Sequence, residues 1–234
     1  MRFRIFFLLI VVASLALMGN SQAAMGGIKL KDFPGNSELV NSLSLHSGQD
    51  LGRIITLPLE EFDQEEAARM IERLDQLPSS LLFKIRKEGI SLKLFTGQLT
   101  DNPTASHLAG LTPRGYQNKE TTWDDVPGIG GGRTVLVKIG YSGKGMGHGS
   151  VNLELHELAH SVDRFVLSEI RFYRKFQGIW KEEKAKLFPG QPYFLSFPEE
   201  YFAETFAMYY MGGEEHLRLK EKAPLTWQFF STLN

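Results

Sequence analysis

His156, Glu157 and His160 are the residues whose types and spacing could do chemistry, within Val151-Asn-Leu-Glu-Leu-His-Glu-Leu-Ala-His160. On a helix, positions four apart differ by about 400° of rotation, so the two imidazoles project about 40° apart and one turn along. Both nitrogens can then reach a single zinc ion at about 2.0–2.1 Å. Glu157 points to the flank, where it can handle the proton of a water instead of binding metal. Leu153, Leu155, Leu158 and Ala159 make this a buried helix, in which unpaired histidines would be costly.

Two histidines leave a catalytic zinc one protein ligand short, with a further position to be kept open. The extended pattern H-E-x-x-H-x-x-G-x-x-H is absent, because Asp163 and Val166 stand where its glycine and last histidine would be. A carboxylate from another helix is therefore expected. Pro198-Glu-Glu-Tyr-Phe-Ala-Glu204 supplies Glu199, Glu200 and Glu204 on an otherwise apolar segment. Glu200 and Glu204 share a face, so one could bind metal while the other supports a ligand from behind. Spacing does not choose among the three, and Glu154 and Glu169 are alternatives. His148, in Gly-His-Gly, reads as a loop residue.

The elements that must position these groups follow from periodicity and punctuation. Residues 24–50 read as a loose lead-in, and Arg53 to Leu57 as a strand closed by Pro58. Asp63-x-x-Glu66 has capping-box spacing and opens a helix through Ala67, Met70, Ile71, Leu74 and Leu77. Ser79 to Glu88 reads as a helix stopped by Gly89, and Ile90 to Phe95 as a half-buried strand. Residues 97–132 lack periodicity, hold Tyr116 and Trp123, and have the length of a functional loop. Thr134 to Ile139 is the strongest strand. After the glycine-rich stretch 140–149 come helices over 150–166, 168–187 and Glu199 to Met211, with short ones at the end, the last opening at Pro224. Phe202, Phe206, Tyr209 and Tyr210 recur as core, and Lys181 to Lys186 as a solvated face.

The 234 residues carry a formal net charge of -1, with 42% apolar residues and no cysteine. Disorder, disulfides and thiolate chemistry are thereby excluded, and with no strong basic field for phosphate backbones nucleic acid is not an expected partner. Arg2 and Arg4 precede an apolar run from Ile5 to Met18, then Ser21-Gln-Ala23. That is the pattern of a secretory leader spanning 1–23, too short in its apolar part for a stable membrane anchor. The exported, extracellular chain would be residues 24–234 with a net charge of -3.

Several stretches together resemble a known family. They are Thr122-Trp-Asp-Asp-Val-Pro-Gly128, Val135 to Gly140, Gly145-Met-Gly-His148, Asn152 to Glu157, Tyr193, Pro198 to Phe206 and Ala223-Pro-x-Thr226. The pattern is similar to the catalytic domain of anthrax lethal factor, and more closely to the small secreted Pro-Pro endopeptidases of Gram-positive bacteria. The resemblance covers essentially the whole exported chain. It implies an α+β, zincin-like metallopeptidase fold in a single domain. A mixed strand and helix lobe over 24–149 and an all-helical lobe over 167–234 would be joined by an active-site helix, 150–166.

The same resemblance implies one zinc per chain, with His156, His160 and Glu200 as ligands, Glu157 as general base and Tyr193 as oxyanion donor. On its own, Tyr193 between Pro192 and Phe194 reads as a core or loop aromatic. Trp123 matches an aromatic that packs against substrate prolines, and Glu204 supports from behind the ligands. Glu199 matches an acid beside the cleft that faces a lysine in the first-described family member; Thr121 occupies that position here, and Lys119 is the candidate substitute. The loop Gly130-Gly131-Gly132-Arg133 is one residue longer than the family pattern and is expected to be mobile and to shape substrate preference. The implied partner is a proline-rich protein or peptide of the bacterial surface, cut by a monomer. The alternative is a zinc-dependent adhesion module without cleavage, which would have no use for Glu157.

Overall fold

A computed structural model describes residues 26–114 and 120–233. The expected leader over 1–23, Tyr116 and Lys119 lie outside the described residues. A five-stranded sheet has the order β1-β2-β3-β5-β4. Its strands are β1 (Ile28–Lys29), β2 (Ile55–Leu57), β3 (Ser91–Phe95), β4 (Gly128–Ile129) and β5 (Thr134–Lys138). β2, β3 and β5 run parallel, while β1 and β4 are antiparallel edges. Leu92 pairs with Val135 and Leu94 with Val137. These four face the main core, whereas Phe95 and Leu136 face a smaller cluster with Leu99, Ala105 and Val126. β3 is thus buried on both faces, unlike the half-buried strand its alternation suggests, because parallel central strands are covered on both sides.

The lead-in is not loose. Helices α1 (Glu38–Ser42) and α2 (Gly48–Ile54) occupy it, and Leu39 and Leu51 are fully buried. The strand expected from Arg53 begins at Ile55, because α2 takes the residues before it. α3 (Gln64–Leu74) starts where expected: the Asp63 carboxylate accepts the Glu66 amide at 2.8 Å, satisfying an orphan donor of the first turn. α4 (Ser79–Lys87) ends before Gly89, whose φ of +69° suits only glycine.

Every strand among the described residues precedes residue 139, and only helices follow. The helix expected to carry the active site, α5 (Leu153–Ser161), is shorter than its expected span and continues as a π-type turn over Val162–Val166. The helix expected from Ser168 starts only at Arg174 as α6 (Arg174–Leu187). Asp163 explains the delay: it accepts the Arg171 amide at 3.1 Å and its guanidinium, and its carbonyl accepts the Glu169 amide at 2.7 Å. The chain is drawn back through Ser168 and Glu169, both at positive φ.

α7 (Pro192–Ser196) and α8 (Pro198–Met211) follow, each with proline in its first turn. Tyr201, Phe202 and Phe206 are fully buried, each worth about 1.5–3 kcal/mol of apolar transfer. α9 (Gly213–Lys222) and α10 (Pro224–Ser231) close the chain. Glu183, inside the supposedly solvated charge run, is 1% exposed. Its carboxylate accepts the amides of Leu225 and Thr226 at 2.8 and 2.9 Å, capping α10. The Thr226 hydroxyl donates to it at 2.7 Å and meets the Tyr201 hydroxyl at 2.8 Å, fixing α10 against the helix that carries Glu200.

Candidate active site

Asn152 caps α5 by accepting the Leu155 amide at 3.0 Å, which sets the helix phase. Leu155, Leu158 and Ala159 anchor one face, and His156 and His160 leave the other with ring centroids 5.0 Å apart. α8 packs across α5, and its first turn delivers Glu200. One oxygen of Glu200, Oε2, lies 3.4 Å from His156 Nε2 and 3.5 Å from His160 Nε2. Donor atoms of these three residues all fall within 4.8 Å of one another, a set that could hold a metal ion.

Of the three acids that spacing left open, the phase of α8 sends each to a different place. Glu204, one turn beyond Glu200, accepts from His156 Nδ1 at 3.0 Å with one oxygen and from the Val151 amide at 3.0 Å with the other. It orients His156 so that Nε2 faces Glu200, the usual arrangement behind a metal-bound imidazole. Glu199 turns outward to Arg114 at 3.2 Å. The alternatives fall away: Glu154 is fully buried against Arg73 at 2.7 Å, and Glu169 pairs with Arg171 at 2.7 Å. His148 bonds the Tyr141 carbonyl at 2.7 Å and the Ser150 hydroxyl at 3.0 Å, so both ring nitrogens are engaged.

Burial alone would strip His156 of its proton, yet hydrogen bonds to Glu200 and Glu204 outweigh it and hold its pKa up at about 10. Burial likewise opposes ionisation of Glu200, but His156 and His160 win and keep it well below the usual carboxylate range. The space between the imidazoles and the two acids therefore favours positive charge, and the donor set fits zinc.

Around this centre runs a cleft of about 970 Å³, lined by Trp123, Glu157, Tyr193 and Glu199 together with the centre itself. Glu157 is half-buried on the wall and lies against the backbone of β4. A Cβ at Gly130 would stand 1.9 Å from the Glu157 carbonyl oxygen, and one at Gly128 3.0 Å from its Cγ, so only glycine permits this approach. Tyr193 sits on α7, which α6 holds through Trp180 Nε1 donating to the Phe194 carbonyl at 3.1 Å. Burial first, then the Glu200 charge, push the ionisation of the Tyr193 hydroxyl well above the ordinary phenol value. At neutral pH it is a donor. Trp123 is half-buried, resting on the smaller core cluster with one part in the cleft.

Gly131 lines the cleft, and the Gly131 amide donates to Ser161 Oγ at 3.1 Å and the Ser161 hydroxyl donates to the Gly132 carbonyl at 2.7 Å. With Arg164 donating to the Gly131 carbonyl at 2.9 Å, the loop is hydrogen-bonded to the end of α5 and the turn that follows it. Arg133 turns away, 4.4 Å over the Phe165 ring and 3.7 Å from Glu88. The partner of Glu199 is Arg114, which sequence reasoning missed; Thr121 cannot carry the charge, and Lys119 is outside the described residues. Arg114 also stacks 4.3 Å over Phe197 and lies 3.6 Å from Glu200. Its position in an aperiodic loop gave no signal by spacing.

The family model described as anthrax toxin lethal factor, N- and C-terminal domain, matches residues 42–233. A Pro-Pro endopeptidase of Paenibacillus alvei is 40% identical over 183 residues, covering 78% of this chain and 84% of that protein. A Pro-Pro endopeptidase of Clostridioides difficile strain 630 is 38% identical over 195 residues, 82% and 87% of the two chains. The solved structure of the Paenibacillus alvei Pro-Pro endopeptidase superposes with a TM-score of 0.75, covering 79% of this chain and 100% of that one. The fold is that of a zincin-like metallopeptidase of the lethal-factor type. More narrowly, the chain belongs to the Pro-Pro endopeptidase family.

Proposed function

We propose that this protein is a secreted zinc metalloendopeptidase that hydrolyses Pro-Pro bonds in proline-containing linkers of bacterial surface proteins. The observation that carries the reading is the Glu200 oxygen facing both histidine Nε2 atoms at 3.4 and 3.5 Å, with Glu157 beside them. His156, His160 and Glu200 hold the metal, and Glu204 fixes His156 from behind. Bound zinc supplies Lewis acidity to the scissile carbonyl and lowers the pKa of a water to about 7. Glu157 takes the proton of the attacking water and passes it to the departing proline nitrogen, which as a tertiary amide has no hydrogen of its own. Tyr193 donates its hydroxyl to the oxyanion. Trp123 offers an aromatic wall to prolines, which lack the N–H needed to add a full strand to an edge. Export is supported by the basic start, short apolar run and small residues of 1–23.

The test is a peptide library with and without proline pairs, incubated with the zinc-loaded chain and read by mass spectrometry. Cuts confined to Pro-Pro bonds, abolished by a chelator and restored by zinc, are expected. Cleavage that ignores proline, or that survives metal removal, would overturn the reading.

A further inference from the structure

Four cations line the cleft: Arg114, Lys144, Arg164 and Arg171. Two are already matched by acids. Arg114 faces Glu199 and Glu200, and Arg171 is held by Asp163 and Glu169. Lys144 is on an exposed stretch among glycines. Arg164 differs from all three. It is exposed, it makes no ion pair among the described residues, and yet it is oriented. Its Nη1 donates to the Gly131 carbonyl at 2.9 Å, and its guanidinium lies 5.2 Å from the centre of the Phe165 ring.

The location ties this charge to the reacting centre. Arg164 stands one turn past His160, and the glycine it grips is the neighbour of that histidine. A Cβ on Gly131 would lie 3.8 Å from His160 Cβ. A guanidinium has five N–H donors in a rigid fork, and the Gly131 carbonyl engages one nitrogen. Among the described residues the remaining N–H groups have no hydrogen-bond partner, Arg164 lines the cleft, and a planar fork matches a carboxylate better than an ammonium would. If Arg164 served only to strap the glycine loop, one donor would suffice. The formal charge of the whole chain is -1, so no bulk field draws acids in, and any preference must be local to such a group.

We infer that Arg164 reads a carboxylate on the substrate, so that favoured substrates carry an Asp or Glu on the side of the scissile bond that passes His160 and Gly131. This rests on the proposed Pro-Pro cleavage and adds a selectivity to it. The test uses peptides with one constant Pro-Pro core and with Asp, Asn or Lys placed in turn at each of three positions on either side. Relative kcat/KM is read by competition in mass spectrometry. Asp should exceed Asn by about 3–10-fold at a position on one side only, the range for a partly exposed charge pair in a cleft. In Arg164→Gln that ratio should fall to about 1, and in Arg164→Glu it should tip toward Lys. Arg164→Lys should keep part of it, and 0.5 M salt should shrink it in the native protein. Equal cleavage of Asp and Asn peptides by the native protein would overturn the inference, as would a preference that survives Arg164→Gln. A loss in Arg164→Gln that is the same for every peptide would assign Arg164 to loop support alone. If no Pro-Pro peptide is cut, the proposed function falls and this selectivity falls with it.

Discussion

Glu157 and Glu200 are both acids at one centre, and their surroundings separate their tasks. Glu200 is buried between two imidazoles that hold it ionised, the state the proposed ligand role requires. Glu157 is half-buried on the cleft wall, outside the set of donor atoms that converge. Replacing Glu157 by Ala is therefore expected to leave zinc content near one per chain and melting close to native, while cleavage drops by at least about 100-fold. Metal analysis, a melting curve and peptide turnover on one preparation decide it; loss of metal would place Glu157 among the ligands instead. Tyr193→Phe removes a donor and no bulk. It should lower kcat by roughly 10–1000-fold with KM nearly unchanged, because the bond is expected to strengthen in the transition state. Unchanged turnover with a small melting shift would make Tyr193 a packing residue. The histidine pair and Glu157 were legible from spacing because they share one helix. Spacing alone did not separate Glu200 from Glu199 and Glu204; the family resemblance pointed to Glu200, and the phase of α8 against α5 brings it to the histidines. Arg114 reaches the site from a loop with no periodicity to read.

Among elements, the long loop carrying Trp123 shows how an aperiodic segment gains order. Asp124 gathers it: the Thr100 hydroxyl, the Gly110 amide and the Thr122 hydroxyl all donate to its carboxylate, the last two at 2.8 Å. Those three donors, Thr100 first, hold its pKa down at about 2. A depressed acid contributes above its unfolded value of about 3.9, and that contribution is lost as pH falls through about 2, so the loop is fastened throughout the neutral range. Asp124→Ala should raise KM for a Pro-Pro peptide by about 3–10-fold with a smaller change in kcat, because it loosens the wall and spares the centre. Steady-state kinetics beside a melting curve would check this; an unaltered KM would mean that Trp123 holds its place without Asp124. The same physics explains what sequence pattern captured and lost. α3, β5 and α8 are long enough for periodicity to speak, and they stand where expected. α1 has five residues and α7 has five, too few turns for a pattern, so the first was read as loose and the second unseen. The break before α6 comes from Asp163 capturing Arg171, a contact that no local signal announces.

At the scale of the molecule, the proposed zinc joins parts that the chain order keeps separate. His156 and His160 lie on the helix that follows the sheet, and Glu200 on a helix of the C-terminal lobe, itself held by the Glu183–Thr226–Tyr201 contacts. A ligand bound only by the folded state stabilises it by RT ln(1 + [L]/Kd), about 2.7 kcal/mol at a hundredfold excess over Kd. For a chain of this size each kcal/mol moves the midpoint by about 2–4 °C. Chelation should thus lower the melting temperature by about 5–10 °C, and added zinc should restore it. His160→Ala, lacking one ligand, should melt near the chelated native protein and respond to chelator by less than about 2 °C on the same scale. Glu157→Ala should respond as the native protein does, since it keeps all three ligands. Calorimetry on the three proteins, with and without chelator, separates the cases. A native midpoint indifferent to chelator would mean that the metal does not bridge these helices, and an equal response in His160→Ala would move the stabilising ion to another place on the chain.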